Sequence, residues 1–222
     1  MESYEIKSEV AYFLHFMPMS YLQGTIIPAT NANATASMGA WEEVNLEEML
    51  HVFGMLLGMG IYQLPERHMY WYEERKGMFP PMEYGKIMPR KRFEDIVKWL
   101  QLSHSPDADQ QILDYITAVN DNTKKAFAAG TYVVLDESMV KSFHRNLKGK
   151  MKIIRKPRPI GNEIKDMSDG VTNIATVLEL YEGRMGDALT RVVSGSIISI
   201  TYAIGIMHWV TTSLFWIGPC SG

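Results

Sequence analysis

A single cysteine, Cys220, stands in 222 residues. No intrachain disulfide can form, a thiolate metal cluster is excluded, and the composition suits a reducing compartment. Acidic residues are absent from Ala188 to Gly222, and charge of either sign is absent from Val192 on. Any carboxylate centre must therefore draw its ligands from Asp187 or earlier. Catalytic motifs are missing as well. No Gly-x-Ser-x-Gly elbow precedes a helix, so nothing supports Ser-His-Asp catalysis. No Walker-type phosphate loop, His-Glu-x-x-His pattern or zinc spacing occurs. The six histidines (His15, His51, His68, His104, His144 and His208) are scattered and read as structural. The opening residues Met1-Glu2-Ser3-Tyr4-Glu5 are polar and acidic, which argues against a secretory signal. The sequon Asn33-Ala34-Thr35 then reads as chance.

Apolar material is plentiful. At 46% hydrophobic and 21% charged, the chain has the composition of a globular protein with a core. Its length fits one large domain or two small ones. The net charge of −3 hides a segregation. Residues 141–165 hold nine basic residues against the single acid Glu163, so the remainder is acidic in balance. That pattern points to an anionic partner for one face, with a solvated basic loop as the plain alternative.

Periodicity predicts helices through the first 130 residues. Ile6, Val10, Phe13, Leu14 and Met17 are helically spaced over Ser3 to Met17. Pro18 to Gly39, rich in Ala, Asn and Thr, reads as a loop. Asn45 is placed to cap a helix, with Glu48 three residues on to return the bond. That helix carries Leu46, Met49, Leu50, Phe53, Leu57 and Ile61, and Pro65 ends it. Arg67 to Glu74 reads as a short aromatic helix, and Gly77 to Pro89 as a loop. Phe93, Ile96, Val97 and Leu100 fall at i, i+3, i+4 and i+7 after Pro89. A further helix runs from about Gln110 to Ala128, with Gly130 as its stop. Tyr70, Trp71 and Tyr72 could stack on bases, although at helical spacing such residues are more often core.

Strands begin at Tyr132. Tyr132-Val133-Val134-Leu135 reads as a short buried strand that ends in Asp136. A carboxylate on rigid backbone there is well placed to hold a metal ion. Glu163 to Met167 and Asn173 to Tyr181 read as further strands, giving an antiparallel meander with one open face and no covering helix. Asp166, Asp169 and Asp187 fall in expected turns. Glu137, next to Asp136, would point to the opposite face.

Four motifs occur in order: Met88-Pro89-Arg90-Lys91-Arg92-Phe93-Glu94, Leu135-Asp136-Glu137-Ser138-Met139, Arg155-Lys156-Pro157-Arg158-Pro159-Ile160-Gly161-Asn162-Glu163-Ile164-Lys165, and Leu178-Glu179-Leu180-Tyr181-Glu182-Gly183. Together they resemble the piggyBac-type transposases, and in particular their domesticated or degenerate transposable-element-derived relatives, over roughly Val44 to Gly183. The resemblance implies an α+β chain. Its helical N-terminal region, 1–130, would serve dimerisation and DNA binding. The first antiparallel strands of an incomplete ribonuclease-H-like domain would follow at 131–187, and an anomalous apolar tail at 188–222. It further implies a nuclear DNA transposition family whose catalytic centre is three aspartates holding two Mg²⁺ ions. Asp136 matches the first aspartate and would be both catalytic residue and metal ligand. The basic stretch, Lys148, Lys150, Lys152, Arg155, Lys156, Arg158 and Lys165, would lie near DNA. Partners implied are DNA and either a second copy or an intact transposase.

Two Mg²⁺ ions activate the attacking hydroxyl or water and stabilise the departing oxygen. The family's second aspartate lies on a later strand, where this chain has no acid. The expectation is a truncated, transposon-derived chain that is catalytically silent and does not hold Mg²⁺ stably. An active nuclease that borrows acids from another chain is a rival. The tail allows other readings. Ile197 to Ile217 is long enough to cross a bilayer, which would make the chain a tail-anchored, non-enzymatic membrane protein. His208 near its middle and the shortage of flanking basic residues weigh against that. A frameshift or retained intron near Gly186, or a buried helix packed on the open sheet, would also account for the tail.

Overall fold

The structure, a computed structural model, describes residues 8–74, 81–141, 151–152 and 160–180, with 137–141, 151–152 and 160–162 described by their backbone alone. Its helices are α1 (Glu9–Phe16), α2 (Met19–Tyr21), α3 (Ile27–Met38), α4 (Leu46–Ile61), α5 (Arg90–Trp99) and α6 (Ala108–Ala126). Its strands are β1 (Val133–Lys141), β2 (Met151–Lys152), β3 (Ile160–Asp169) and β4 (Ala175–Leu180). The chain is α+β, with helices first and antiparallel strands after. The described residues form two compact units, one from 22–104 and one from 8–21 with 105–180.

The 22–104 unit is helical. Asn45 is extended, and its Oδ1 accepts from the Glu48 N–H at 2.9 Å, so it caps α4 as expected. The return bond of a capping box is not what Glu48 makes. Both of its carboxylate oxygens accept from Arg92 on α5, at 2.8 and 2.7 Å, and the Arg92 guanidinium lies 4.8 Å from the Trp41 ring centre. Met49, Val52, Phe53, Met55, Leu56 and Met59 of α4 and Phe93, Ile96 and Val97 of α5 are buried.

The expected loop from Pro18 to Gly39 is instead helical: α2, a π-helical turn at Leu22–Ile26, then α3. Its inner face is made of small residues, Ala29, Thr30 and Ala34, which carry no large-apolar periodicity. Two asparagines hold it by side-chain bonds. Asn31 Oδ1 accepts from the Val44 N–H at 2.8 Å, and Asn33 donates to the Trp99 carbonyl at 3.1 Å. Gly39, at φ +70°, ends the helix in a conformation that glycine adopts without a Cβ penalty.

The other unit packs α1 and α6 together with the sheet. Ser8 Oγ caps α1 by accepting from the Ala11 N–H at 3.1 Å, and Asn122 of α6 donates to the Phe16 carbonyl at 2.8 Å. In α6, Ile112, Tyr115, Ile116 and Val119 are buried, as their spacing predicts. The helix ends before Phe127, which is extended, so Gly130 is not its stop. Gly130 serves a close approach: a Cβ there would lie 2.9 Å from Asp169 Oδ1.

β3 is the spine of the sheet. It pairs antiparallel with β1 along one edge and with β2 and β4 along the other. The meander is present, and it is not uncovered, because α6 packs against β4. Asn120 of α6 donates to the Leu178 carbonyl at 2.9 Å and accepts from the Leu178 N–H at 3.0 Å. One side-chain amide thus takes the place of a neighbouring strand on the outer edge of β4. β1 departs from the short buried strand expected. It is nine residues long, and Val133, Val134 and Leu135 are exposed, Leu135 by 63%. Among the described residues β1 pairs with β3 alone.

Candidate functional site

Asp136 lies fourth in β1 rather than at its end, so it projects from the middle of a paired strand. Its direct cross-strand partner is Asp166 of β3. Directly opposed residues of an antiparallel pair share one sheet face, their Cβ atoms about 5 Å apart. Asp166 therefore sits within β3, inside the strand expected at Glu163 to Met167, and not in a turn. Asp136 is exposed, whereas Asp166 is buried at 8% exposure. Asp166 Oδ2 accepts from the Ser168 hydroxyl at 3.2 Å, and among the described residues its Oδ1 has no hydrogen-bond partner. Burial raises the Asp166 pKa above the ordinary carboxylate range, the negative charge of Asp136 raises it further, and the Ser168 bond opposes both.

The structure assigns Asp169 a different task. It closes the β3–β4 turn, where Asn173 is left-handed at φ 55°. Its Oδ2 accepts from the Thr172 hydroxyl at 2.7 Å and the Thr172 N–H at 2.8 Å, and its Oδ1 accepts from the Gly130 N–H at 2.9 Å. The Thr172 hydroxyl first, then the N–H groups of Thr172 and Gly130, hold its pKa down to about 2. Asp169 is thus a turn clamp, and it stands on the strand positions that alternate with Asp136 and Asp166.

Of the basic residues, Lys165 is half-buried in β3, and its register partners are Glu137 on β1 and Glu179 on β4. Lys152 lies in β2, opposite Ile160. Lys148, Lys150, Arg155, Lys156 and Arg158 lie outside the described residues, as do Asp187 and the segment 188–222 with its expected anchor, Ile197 to Ile217. Among the described residues no helix is long and apolar enough to cross a membrane. Of the aromatic cluster, Tyr70 belongs to the core, while Trp71 and Tyr72 are half-buried. Tyr70 is 3% exposed, stacks on Tyr84 at 5.5 Å and donates to the Tyr62 carbonyl at 2.7 Å, while the Trp71 indole donates to the Met88 carbonyl at 2.8 Å. Sequence reasoning missed Asp166 and Asn120. Both depend on what lies opposite across the fold, which no local spacing encodes.

A helical region thus leads into antiparallel strands, with an aspartate on the first of them. A family model described as Transposase IS4 matches residues 8–197, and the chain belongs to that family. The fold matches a cryo-EM structure of a piggyBac transposase synaptic complex with hairpin DNA, with a TM-score of 0.64 and 18% sequence identity. The match covers 79% of this chain and 39% of that one, so the chain spans well under half of that transposase. No curated protein matches the chain. DDE transposases work with divalent metal ions, and the orphaned buried oxygen of Asp166 beside Asp136 suits such an ion chemically.

Proposed function

We propose that this chain is a transposase-derived DNA-binding protein of piggyBac type, and that its 222 residues do not by themselves carry out strand transfer. Membership of the transposase family carries this reading, and the DNA named in the matched synaptic complex supports it. Residues 1–130 would act as the dimerisation and DNA-binding-like region, 131–187 as the partial catalytic domain, and 188–222 as an apolar tail. The DNA contact falls to Lys148, Lys150, Lys152, Arg155, Lys156, Arg158 and Lys165. Their ammonium and guanidinium groups would pair with phosphates and release condensed counterions. A second copy or an intact transposase would be the protein partner, and the nucleus the place of action.

Silence follows from ligand number. In-line phosphoryl chemistry with two metals needs both ions fixed by several carboxylates. Asp136 is one such ligand, and from Ala188 to Gly222 no further acid is available. Bound there, a divalent ion would supply charge stabilisation at phosphate oxygens, and Asp136 would orient it.

Fluorescence anisotropy with a labelled duplex, titrated with salt, tests the binding. Seven phosphate contacts give a log–log slope of about −6, so affinity should fall roughly a thousandfold or more between about 50 and 200 mM salt. Replacing Lys148, Lys150, Lys152 and Arg155 with Gln should remove about half of that slope. A flat salt response refutes the DNA reading, and Mg²⁺-dependent nicking by the purified chain, abolished by Asp136→Ala, refutes the silence.

A further inference from the structure

We propose that two copies of this chain pair through the open edge of β1, antiparallel and about a two-fold axis centred between Val133 and Val134. The two edges of the sheet are finished differently. On one side of β3 stand β4, whose outer edge is sealed by Asn120 of α6, and the two-residue β2. On the other side stands β1, nine residues long and paired, among the described residues, with β3 alone. A long edge strand presents a row of N–H and C=O groups that can template pairing with another chain. Successive residues of a strand point to opposite faces. Tyr132 and the first three residues of β1, Val133, Val134 and Leu135, are all between 42% and 74% exposed. The start of β1 is thus apolar on both faces, the pattern of a strand with neighbours on either side, yet it is placed at an edge.

Charge and symmetry point to a second copy as the occupant. Ala126 to Leu135 carries no charge, whereas Asp136 and Glu137 follow at once. Centred between Val133 and Val134, the pairing sets Val133 opposite the partner's Val134, Tyr132 opposite the partner's Leu135, and Asp136 opposite the partner's uncharged Thr131. Aromatic and β-branched pairs of this kind are favourable cross-strand neighbours. Registers centred further along β1 bring the Asp136 and Glu137 pairs of the two copies face to face, and like charges directly opposite are unfavourable. A two-fold pairing uses the same edge in both copies and closes, so assembly stops at two. A few side chains from each copy stand at or below the small end of specific interfaces, about 1,200 Å² in total, so the dimer is weak and concentration-dependent. The inference rests on the proposed function only for the expectation of a second copy, and it seats that copy on the sheet rather than on residues 1–130. It uses neither DNA nor a metal ion.

Sedimentation of the purified full chain without DNA, across about 1 to 200 μM, tests the pairing. The expected result is a reversible monomer–dimer equilibrium with a Kd of roughly 1–100 μM. Val134→Lys and Leu135→Lys should each raise that Kd at least about tenfold, since lysine on an edge strand opposes pairing. Both positions are exposed, so the two variants should melt near wild type. Ile61→Lys, at a comparably exposed apolar position within 1–130, should leave the equilibrium unchanged. Hydrogen exchange on the unaltered chain gives a second readout: amides of 132–136 should slow as concentration rises. That measurement decides the matter if a lysine variant folds poorly. The proposal is overturned if the chain stays monomeric throughout, as it would if its own residues 188–222 took the edge. It is equally overturned if the folded lysine variants dimerise like wild type, if Ile61→Lys dissociates the pair instead, or if species grow beyond two. DNA binding is read separately by its salt titration, so a flat salt response would refute the DNA reading and leave this equilibrium as it is.

Discussion

Asn120→Ala removes the amide that seals the outer edge of β4. The wild-type side chain makes two bonds to one residue, donating to the Leu178 carbonyl at 2.9 Å and accepting from the Leu178 N–H at 3.0 Å. Each is a neutral hydrogen bond with a net contribution of about 1 kcal/mol. Leu178 is 4% exposed, so water does not readily replace the lost partner. Leaving a buried donor and acceptor unsatisfied costs about 1–3 kcal/mol. The expected loss is about 2–3 kcal/mol, or a Tm lower by roughly 4–12 °C for a chain of this size. Asn120→Asp separates the two bonds. A carboxylate still accepts from the Leu178 N–H, but it faces the Leu178 carbonyl with a second acceptor in place of a donor. At neutral pH it should destabilise at least as much as Ala, and acidification should relieve it. Urea unfolding followed by circular dichroism reads all three proteins. An Asn120→Ala loss below about 0.5 kcal/mol, or an Asp variant as stable as wild type at pH 7, would refute the idea that this amide substitutes for a strand.

Two glycines of α4 should respond oppositely to alanine. At Gly58 a Cβ would lie 2.2 Å from the Tyr84 hydroxyl, which is buried and donates to the Met55 carbonyl at 3.2 Å. Overpacking of about 1–3 kcal/mol should outweigh a helix-propensity gain of about 1 kcal/mol. At Gly54 nothing among the described residues lies within 4 Å, so Gly54→Ala should stabilise by about 0.5–1 kcal/mol, and equal denaturant midpoints for the two variants would contradict this packing. Arg92→Lys keeps the charge but loses the two-pronged grip on Glu48 and the flat contact with Trp41. A double-mutant cycle with Glu48→Gln should give about 0.5–1.5 kcal/mol of coupling, discounted for partial exposure, and strict additivity would deny the pair. Asp169 has a folded pKa near 2 against an ordinary value of 3.8. A depressed carboxylate stabilises fully above its unfolded pKa and loses that contribution as pH falls through its folded one. The stability gap between wild type and Asp169→Asn should therefore hold above about pH 4 and shrink towards pH 2, and a gap constant across that range would show that the clamp is not ionic.

Much of the helical framework was legible because it follows local rules. Asn45 before an apolar run, and Phe93, Ile96 and Val97 at helical spacing, specify their helices wherever they pack. α3 was not legible, since its buried face is Ala29, Thr30 and Ala34 and its asparagines, normally loop residues, bond to Val44 and Trp99 far along the chain. Glu48 shows the same limit. Its position fits a capping box, and only the approach of Arg92 diverts its carboxylate. Asp136 was visible as an acid following an apolar run, but its place within the strand was not, because strand ends depend on pairing.

By itself, then, the amino-acid order determined the α+β succession, the Asn45 cap, the family motifs, the basic stretch and the lack of acids after Asp187. Each of these is a matter of neighbours along the chain. Tertiary structure alone decided that Asp166 faces Asp136, that Asp169 clamps a turn and that Asn120 closes a sheet edge. Antiparallel register joins residues that are 30 positions apart, and shifting it by one residue would turn every side chain of the strand to the other face.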